Sequence, residues 1–136
     1  MNHPLPSAGP AASCHESSAF LTDAQLRAEL QKCEFCEDKP CQAACPCDCS
    51  PADFIRAVKL GAPSDYWRAA ALIMGKNPLG GICGMVCPDR FCMAACVHRR
   101  LDGAVLIPEV QAAVVERAKQ LGVMPAHERP KPTGKK

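Results

Sequence analysis

Apolar positions along the chain recur with the helical period in a series of short stretches, and no long stretch alternates with the period of a strand. Thr22 opens the first stretch, with Gln25 three residues on as a capping box. Leu26, Leu30 and Cys33 follow at i, i+4 and i+7, a spacing that puts Cys33 on the buried face of that helix. Ser50-Pro51-Ala52-Asp53 supplies an N-cap, a proline at N1 and an acid at N3 for the next helix. Phe54, Ile55 and Val58 form its inward face, and Gly61 stops it. Ser64 is expected to cap a third helix in which Trp67, Ala70, Ala71 and Met74 share one face, read as plain core, before Gly75-Lys76-Asn77-Pro78 ends it.

Residues 79–88, LGGICGMVCP, read as a glycine-rich loop whose backbone approaches a bound group closely. Cys92 and Cys96, at i and i+4, suit one face of a short helix. Leu101-Asp102-Gly103 reads as a turn, and Pro108 starts a last helix running to about Leu121, with Gly122 as its stop. The pattern predicts an all-α fold. A helical domain over residues 21–122 lies between a Pro-, Ala- and Ser-rich tail (1–20) and a basic tail (123–136), both expected to be disordered.

One polar position breaks the pattern. Gln111 shares a stripe with Val114, Val115 and Ala118, so an amide points where apolar side chains point. A buried amide needs partners, and backbone carbonyls are the usual ones.

The cysteines change the picture most. Cys33, Cys36, Cys41 and Cys45 fall at C-x2-C-x4-C-x3-C, with Pro46 directly after. Iron–sulfur clusters are held by thiolates at such short spacings, and a terminal Cys-Pro often serves a second cluster. A second group, Cys83, Cys87-Pro88, Cys92 and Cys96, lies further on. Crossed ligands from the two groups would fold the chain back on itself around two clusters. Cys47 and Cys49 form an additional pair, and Cys14-His15 lies in the N-terminal tail, where an adjacent pair is incidental.

Composition narrows the alternatives. The 136 residues hold eleven cysteines but only four Phe, one Tyr and one Trp, so bound clusters are expected to supply much of the stability. An odd cysteine total fits a disulfide framework poorly. Residues 1–20 show no basic start followed by an apolar run, so a reducing, cytoplasmic setting is expected, where clustered cysteines bind metal more often than they pair. No apolar run reaches membrane-spanning length. The net charge of +2, with no basic stripe interleaved with aromatics, argues against nucleic acid.

Taken together, Cys36-Glu-Asp-Lys-Pro-Cys41-Gln-Ala-Ala-Cys45-Pro46, Asn77-Pro78-Leu79-Gly80-Gly81-Ile82-Cys83-Gly84-Met85-Val86-Cys87-Pro88 and Cys92-Met-Ala-Ala-Cys96 resemble one known module. It is the N-terminal iron–sulfur domain of dihydropyrimidine dehydrogenase, shared with the small subunit of NADPH-dependent glutamate synthase. The resemblance covers roughly residues 22–122 and implies a helical domain carrying two [4Fe–4S] clusters. It implies Cys33, Cys36, Cys41 and Cys96 as ligands of one cluster. For the other it implies Cys45, Cys87, Cys92 and, through its amide, Gln111. An amide oxygen in place of a thiolate makes a cluster one negative charge lighter and raises its potential.

This chain departs from the pattern in places. Four residues separate Cys87 and Cys92, where the dehydrogenase has five. Cys47 and Cys49 fall outside the implied ligands and read as buried small hydrophobes or redox-active thiols. Cys83 is a non-ligand in the dehydrogenase and the natural substitute should Gln111 not bind.

No Gly-x-Gly-x-x-Gly loop occurs in the 136 residues, and no flavin, nicotinamide or substrate site is recognisable. The module is therefore expected to carry electrons without catalysing, to or from a flavin- and NAD(P)H-binding oxidoreductase subunit or domain. Phe35, Ile82, Met85, Val86 and Phe91, beside the cysteines, are expected to form a dry shell. A zinc-stapled interaction module is the alternative, although C-x4-C-x3-C-P does not divide neatly into zinc-type pairs. Thiol-redox chemistry at Cys45-Pro-Cys47-Asp-Cys49 lacks the usual Cys-x-x-Cys spacing. His98, Arg99 and Arg100 read as a solvated loop more than as a docking patch.

Overall fold

The computed structural model describes residues 19–127 and 130–134. Its elements are helices α1 (Asp23–Lys32), α2 (Pro40–Ala43), α3 (Pro51–Val58), α4 (Pro63–Lys76), α5 (Gly80–Val86), α6 (Cys92–Ala95) and α7 (Ile107–Gln120), with a 3₁₀ turn at Val97–Arg100. There is no strand among the described residues, so the fold is all-α. No single helix among them is long and apolar enough to cross a membrane.

The last helix is the axis of the fold. It packs against α5, α4, α1 and α3, and Val110, Val114, Val115 and Ala118 are buried along it. Phe54, Ile55 and Val58 of α3 and Ala69, Ala70 and Ile73 of α4 close around that stripe. Leu26 and Leu30 add the contribution of α1. Val123 and Met124, assigned above to the C-terminal tail, also pack against this core.

Local chemistry sets most of the helix ends. The Thr22–Gln25 capping box is present, and each residue accepts from the other's backbone. Cys33 is the C-cap of α1, extended in conformation, so it leaves the helix instead of lying on its buried face. Ser50 occupies the N-cap of α3 without making a cap hydrogen bond. The cap of α4 is Ala62, not Ser64: Pro63 takes the first turn and the Asp65 carboxylate accepts the Ala62 N–H at 3.0 Å. The buried stripe of α4 is Tyr66, Ala69, Ala70 and Ile73, one position back from the predicted face, and Trp67 is half exposed. Both stripes of α4 are apolar, so period alone did not separate them.

The largest difference lies at residues 79–88, which form helix α5 instead of a loop. Its glycines serve packing. A Cβ on Gly84 would stand 2.6 Å from the Ala112 nitrogen and 2.7 Å from the Pro108 carbonyl oxygen, and one on Gly81 would stand 3.0 Å from Val115 Cγ1. Only bare backbone lets α5 lie this close to α7.

Candidate metal centre

Among the described residues, the three non-glycine residues with positive φ, Phe35 (52°), Lys39 (42°) and Asp48 (53°), all fall between Cys33 and Cys49. Left-handed backbone costs a non-glycine residue roughly 1–2 kcal/mol, so this segment holds a shape its local preferences resist. Tertiary contacts hold it there. Arg56 and Lys59 of α3 lie over the Phe35 ring at 5.1 and 4.6 Å. Lys39 pairs with Asp53 of α3 at 2.8 Å, and its ammonium holds the Asp53 carboxyl below the ordinary carboxylate range.

The segment places its cysteines around two cavities. Cys33, Cys36 and Cys41 line the first together with Cys96, which arrives from the C-terminal end of α6. Cys45 instead lines the second, with Cys83 and Cys87 from α5 and its C-cap, Cys92 from α6 and Gln111 from α7. The structure thus brings together each of the two sets that the resemblance implied. The second cavity also receives Cys47 and Cys49; Cys49 is buried, as a small hydrophobe would be, whereas Cys47 is exposed. Cys14, His15 and the other residues of the N-terminal tail up to residue 18 lie outside the described residues.

Between the cavities stands a thin partition. Pro51, at the start of α3, and Ile107, at the start of α7, line both.

Burial sets the thiol chemistry. It pushes the Cys33 and Cys41 thiols above their ordinary value. It raises Cys49 and Cys92 to about 12, with neighbouring cysteine sulfurs adding to the effect. Backbone donors work the other way: the Phe35 N–H faces the Cys33 sulfur, and those of Ala52 and Gln42 face Cys41. Without a cation the buried thiols keep their protons, and metal binding must release them.

Polar side chains complete the two sites. Gln111 is half-buried, not fully buried as its stripe suggested, and donates through Nε2 to the Gly80 carbonyl at 2.6 Å. Cys83 accepts from Asn77 Nδ2 at 2.9 Å. At the first cavity His98 is buried, not part of a solvated loop, and is bonded to both Asp102 and Glu34. Sequence reasoning missed this, although the i, i+4 spacing of His98 and Asp102 signals it.

The expected dry shell is only partly realised. Phe91 lines the second cavity and Phe35 packs against the core. Ile82, Met85 and Val86, however, are 59%, 55% and 72% exposed. The face of α5 that meets α7 is its glycine face, so the bulky side chains turn outward.

Comparison with known proteins places the chain in a family. The family model for dihydropyrimidine dehydrogenase domain II, 4Fe-4S cluster, matches residues 11–123. The NAD-dependent dihydropyrimidine dehydrogenase subunit PreT of Escherichia coli K12 is 32% identical over 96 residues, 70% of this chain and 23% of that protein. The PreT subunit of Salmonella typhimurium is 31% identical over 93 residues, 68% of this chain and 22% of its own. The glutamate synthase [NADPH] small chain of Escherichia coli K12 is 30% identical over 117 residues, 85% of this chain and 24% of that one. The chain therefore spans about a quarter of the length of these curated relatives. By the extent of the family match, this chain belongs to the dihydropyrimidine dehydrogenase domain II family of 4Fe-4S cluster domains.

Proposed function

We propose that this domain relays single electrons through two [4Fe–4S] clusters, one in each cavity, to or from a flavin- and NAD(P)H-binding oxidoreductase. The observation that carries the proposal is the pair of cysteine-lined cavities separated by the shared residues Pro51 and Ile107. Bound there, the clusters would accept and give up one electron at a time, with the protein setting their potentials and spacing.

The donor sets fit such groups. Cys33, Cys36, Cys41 and Cys96 would hold the first cluster; Cys45, Cys87, Cys92 and the Gln111 amide oxygen would hold the second. The sulfurs surround cavities instead of converging: among the described residues, no three Cys, His, Asp or Glu side chains come close enough to share a single metal ion. The C-x4-C-x3-C-P spacing, which does not divide into zinc-type pairs, favours a polynuclear group over a zinc staple. The partition is saturated and uncharged, so it excludes water without adding a titrating group. Backbone N–H groups facing Cys33 and Cys41 would offset part of the negative charge on the first cluster.

The names of the relatives point to the partner class. One is a subunit of an NAD-dependent dehydrogenase and another the small chain of an NADPH-dependent synthase. A boundary near residues 21–122 and a cytoplasmic setting, where thiols stay reduced, belong to the same proposal.

The test is an iron and acid-labile sulfide count on anaerobically purified protein, with about eight of each expected per chain. Cys36→Ser and Cys87→Ser should each remove the signal of a different cluster. Zinc without sulfide would overturn the proposal.

A further inference from the structure

The corner between α4 and α5 touches both Cys83 and Gln111, two residues that line the second cavity. Asn77, the C-cap of α4, donates through Nδ2 to the Cys83 sulfur at 2.9 Å, while its Oδ1 accepts the Leu79 N–H at 3.0 Å. Its backbone is fixed as well: the N–H reaches the Ile73 carbonyl at 3.0 Å, and its own carbonyl accepts the Gly80 N–H at 2.9 Å. Turning the side chain away breaks two hydrogen bonds at once.

The Gly80 carbonyl, in turn, accepts from Gln111 Nε2 at 2.6 Å. That bond fixes which end of the Gln111 amide is nitrogen. The Gln111 oxygen accepts no hydrogen bond among the described residues, and Gln111 and Cys83 line the same cavity.

Cys83 and Gln111 both line the cavity, and as ligands they would be unequal. A thiolate is an anionic, soft ligand, whereas an amide oxygen is neutral and hard, so a freely turning Cys83 would win the position. For Gln111 to serve, the sulfur must be restrained. We propose that Asn77 is a positioning residue that holds Cys83 out of the ligand set and so reserves the fourth position of the second site for Gln111.

This inference rests on the assignment of Gln111 as a ligand, and its chemistry balances without an added reactant. Were the Asn77 bond lost, Cys83 would supply its sulfur to the iron in place of the Gln111 amide oxygen, one ligand bond replacing another. The thiol proton leaves to solvent, and no electron changes hands. The cluster then carries one more negative charge, which lowers its potential.

The experiment uses the full chain, loaded anaerobically. Iron content, the EPR spectrum of the reduced protein and the potential of each cluster are compared for the wild type, Asn77→Ala, Cys83→Ala, the double variant and Gln111→Ala. In Asn77→Ala the iron count is expected to hold while one cluster titrates at a lower potential with a changed EPR signal. The double variant is expected to recover the wild-type potential, because the released thiol is gone. A merely structural role for Asn77 would not be rescued by removing Cys83.

Three results would overturn the proposal: an unshifted potential in Asn77→Ala, a shift that survives in the double variant, or loss of iron in Cys83→Ala. The last does not depend on how well Asn77→Ala folds. Gln111→Ala separates the two layers of inference. If it leaves both cluster signals unchanged, the ligand assignment fails; if it alters one while Asn77→Ala alters none, only the role of Asn77 fails.

Discussion

His98 ties the two ends of the first cavity together: its Nε2 lies 3.1 Å from Glu34 Oε1, across 64 positions of sequence, and its Nδ1 lies 2.7 Å from Asp102 Oδ1. Ionised carboxylates only accept, so an imidazole bonded to two of them carries both of its protons. Glu34 sits beside Cys33 and His98 follows shortly after Cys96, so the bridge joins the two chain segments that meet at that cavity.

A pH signature follows. The Asp102 hydrogen bond, then that of Glu34, raises the His98 pKa above its ordinary 6.5, and His98 in turn lowers that of Asp102. A raised histidine contributes stability that is fully present below 6.5 and is lost as pH rises through the folded value. Asp102 sets the acid edge of the window: its lowered pKa contributes stability that is present above 3.8 and is lost as pH falls through the folded value. Thermal unfolding of the loaded protein should therefore separate wild type from His98→Gln more at about pH 6 than at about pH 9. A gap that is equal, or wider in alkali, would refute the bridge.

Gly84→Ala tests the seam between α5 and α7. The added methyl meets backbone at 2.6 and 2.7 Å, and backbone cannot swing aside as a side-chain tip can. Overpacking of this kind costs about 1–3 kcal/mol, and the helix that must move carries Cys83 and ends on Cys87. Iron is expected to fall from about eight toward about four per chain. Gly61→Ala is the contrast: its φ of +80° makes the substitution strained, but nothing lies within 4 Å of the new methyl. It should cost about 1–2 kcal/mol and leave the iron count unchanged.

Ile82→Gln and Val86→Gln test the outer face of the same helix. Both side chains are exposed, so each change should fall within about 0.5 kcal/mol of wild type in denaturant melts. Iron content should not change. Loss of one cluster would mean that these residues shield it after all.

The helices were legible where local chemistry sets their ends. Thr22 with Gln25, Pro51, and Gly122 (φ +68°) act within a turn of their own positions, so their effect is visible without the fold. Helix α5 was not, because its glycines answer to α7: what Gly84 avoids is the Pro108 carbonyl and the Ala112 nitrogen. The stripe of α4 slipped by one position because both candidate faces are apolar, and only α3 and α7 decide between them. At the site, cysteine spacing showed that two groups exist and the terminal Cys45-Pro46 pointed to crossed ligands, whereas the full ligand sets relied on the family pattern. The structure makes that division physical, sending Cys41 to one cavity and Cys45 to the other from the two ends of α2. His98 and Asn77 escaped notice because their partnerships depend on where loops meet.

The shared wall of Pro51 and Ile107 also bears on how the domain would store charge. Two saturated side chains screen poorly, so with both cavities filled, an electron placed on one side is felt on the other. The second electron should then be harder to add than the first, and the two titrations should be anticooperative. A domain filled in this way would load and empty in separated single steps instead of in pairs.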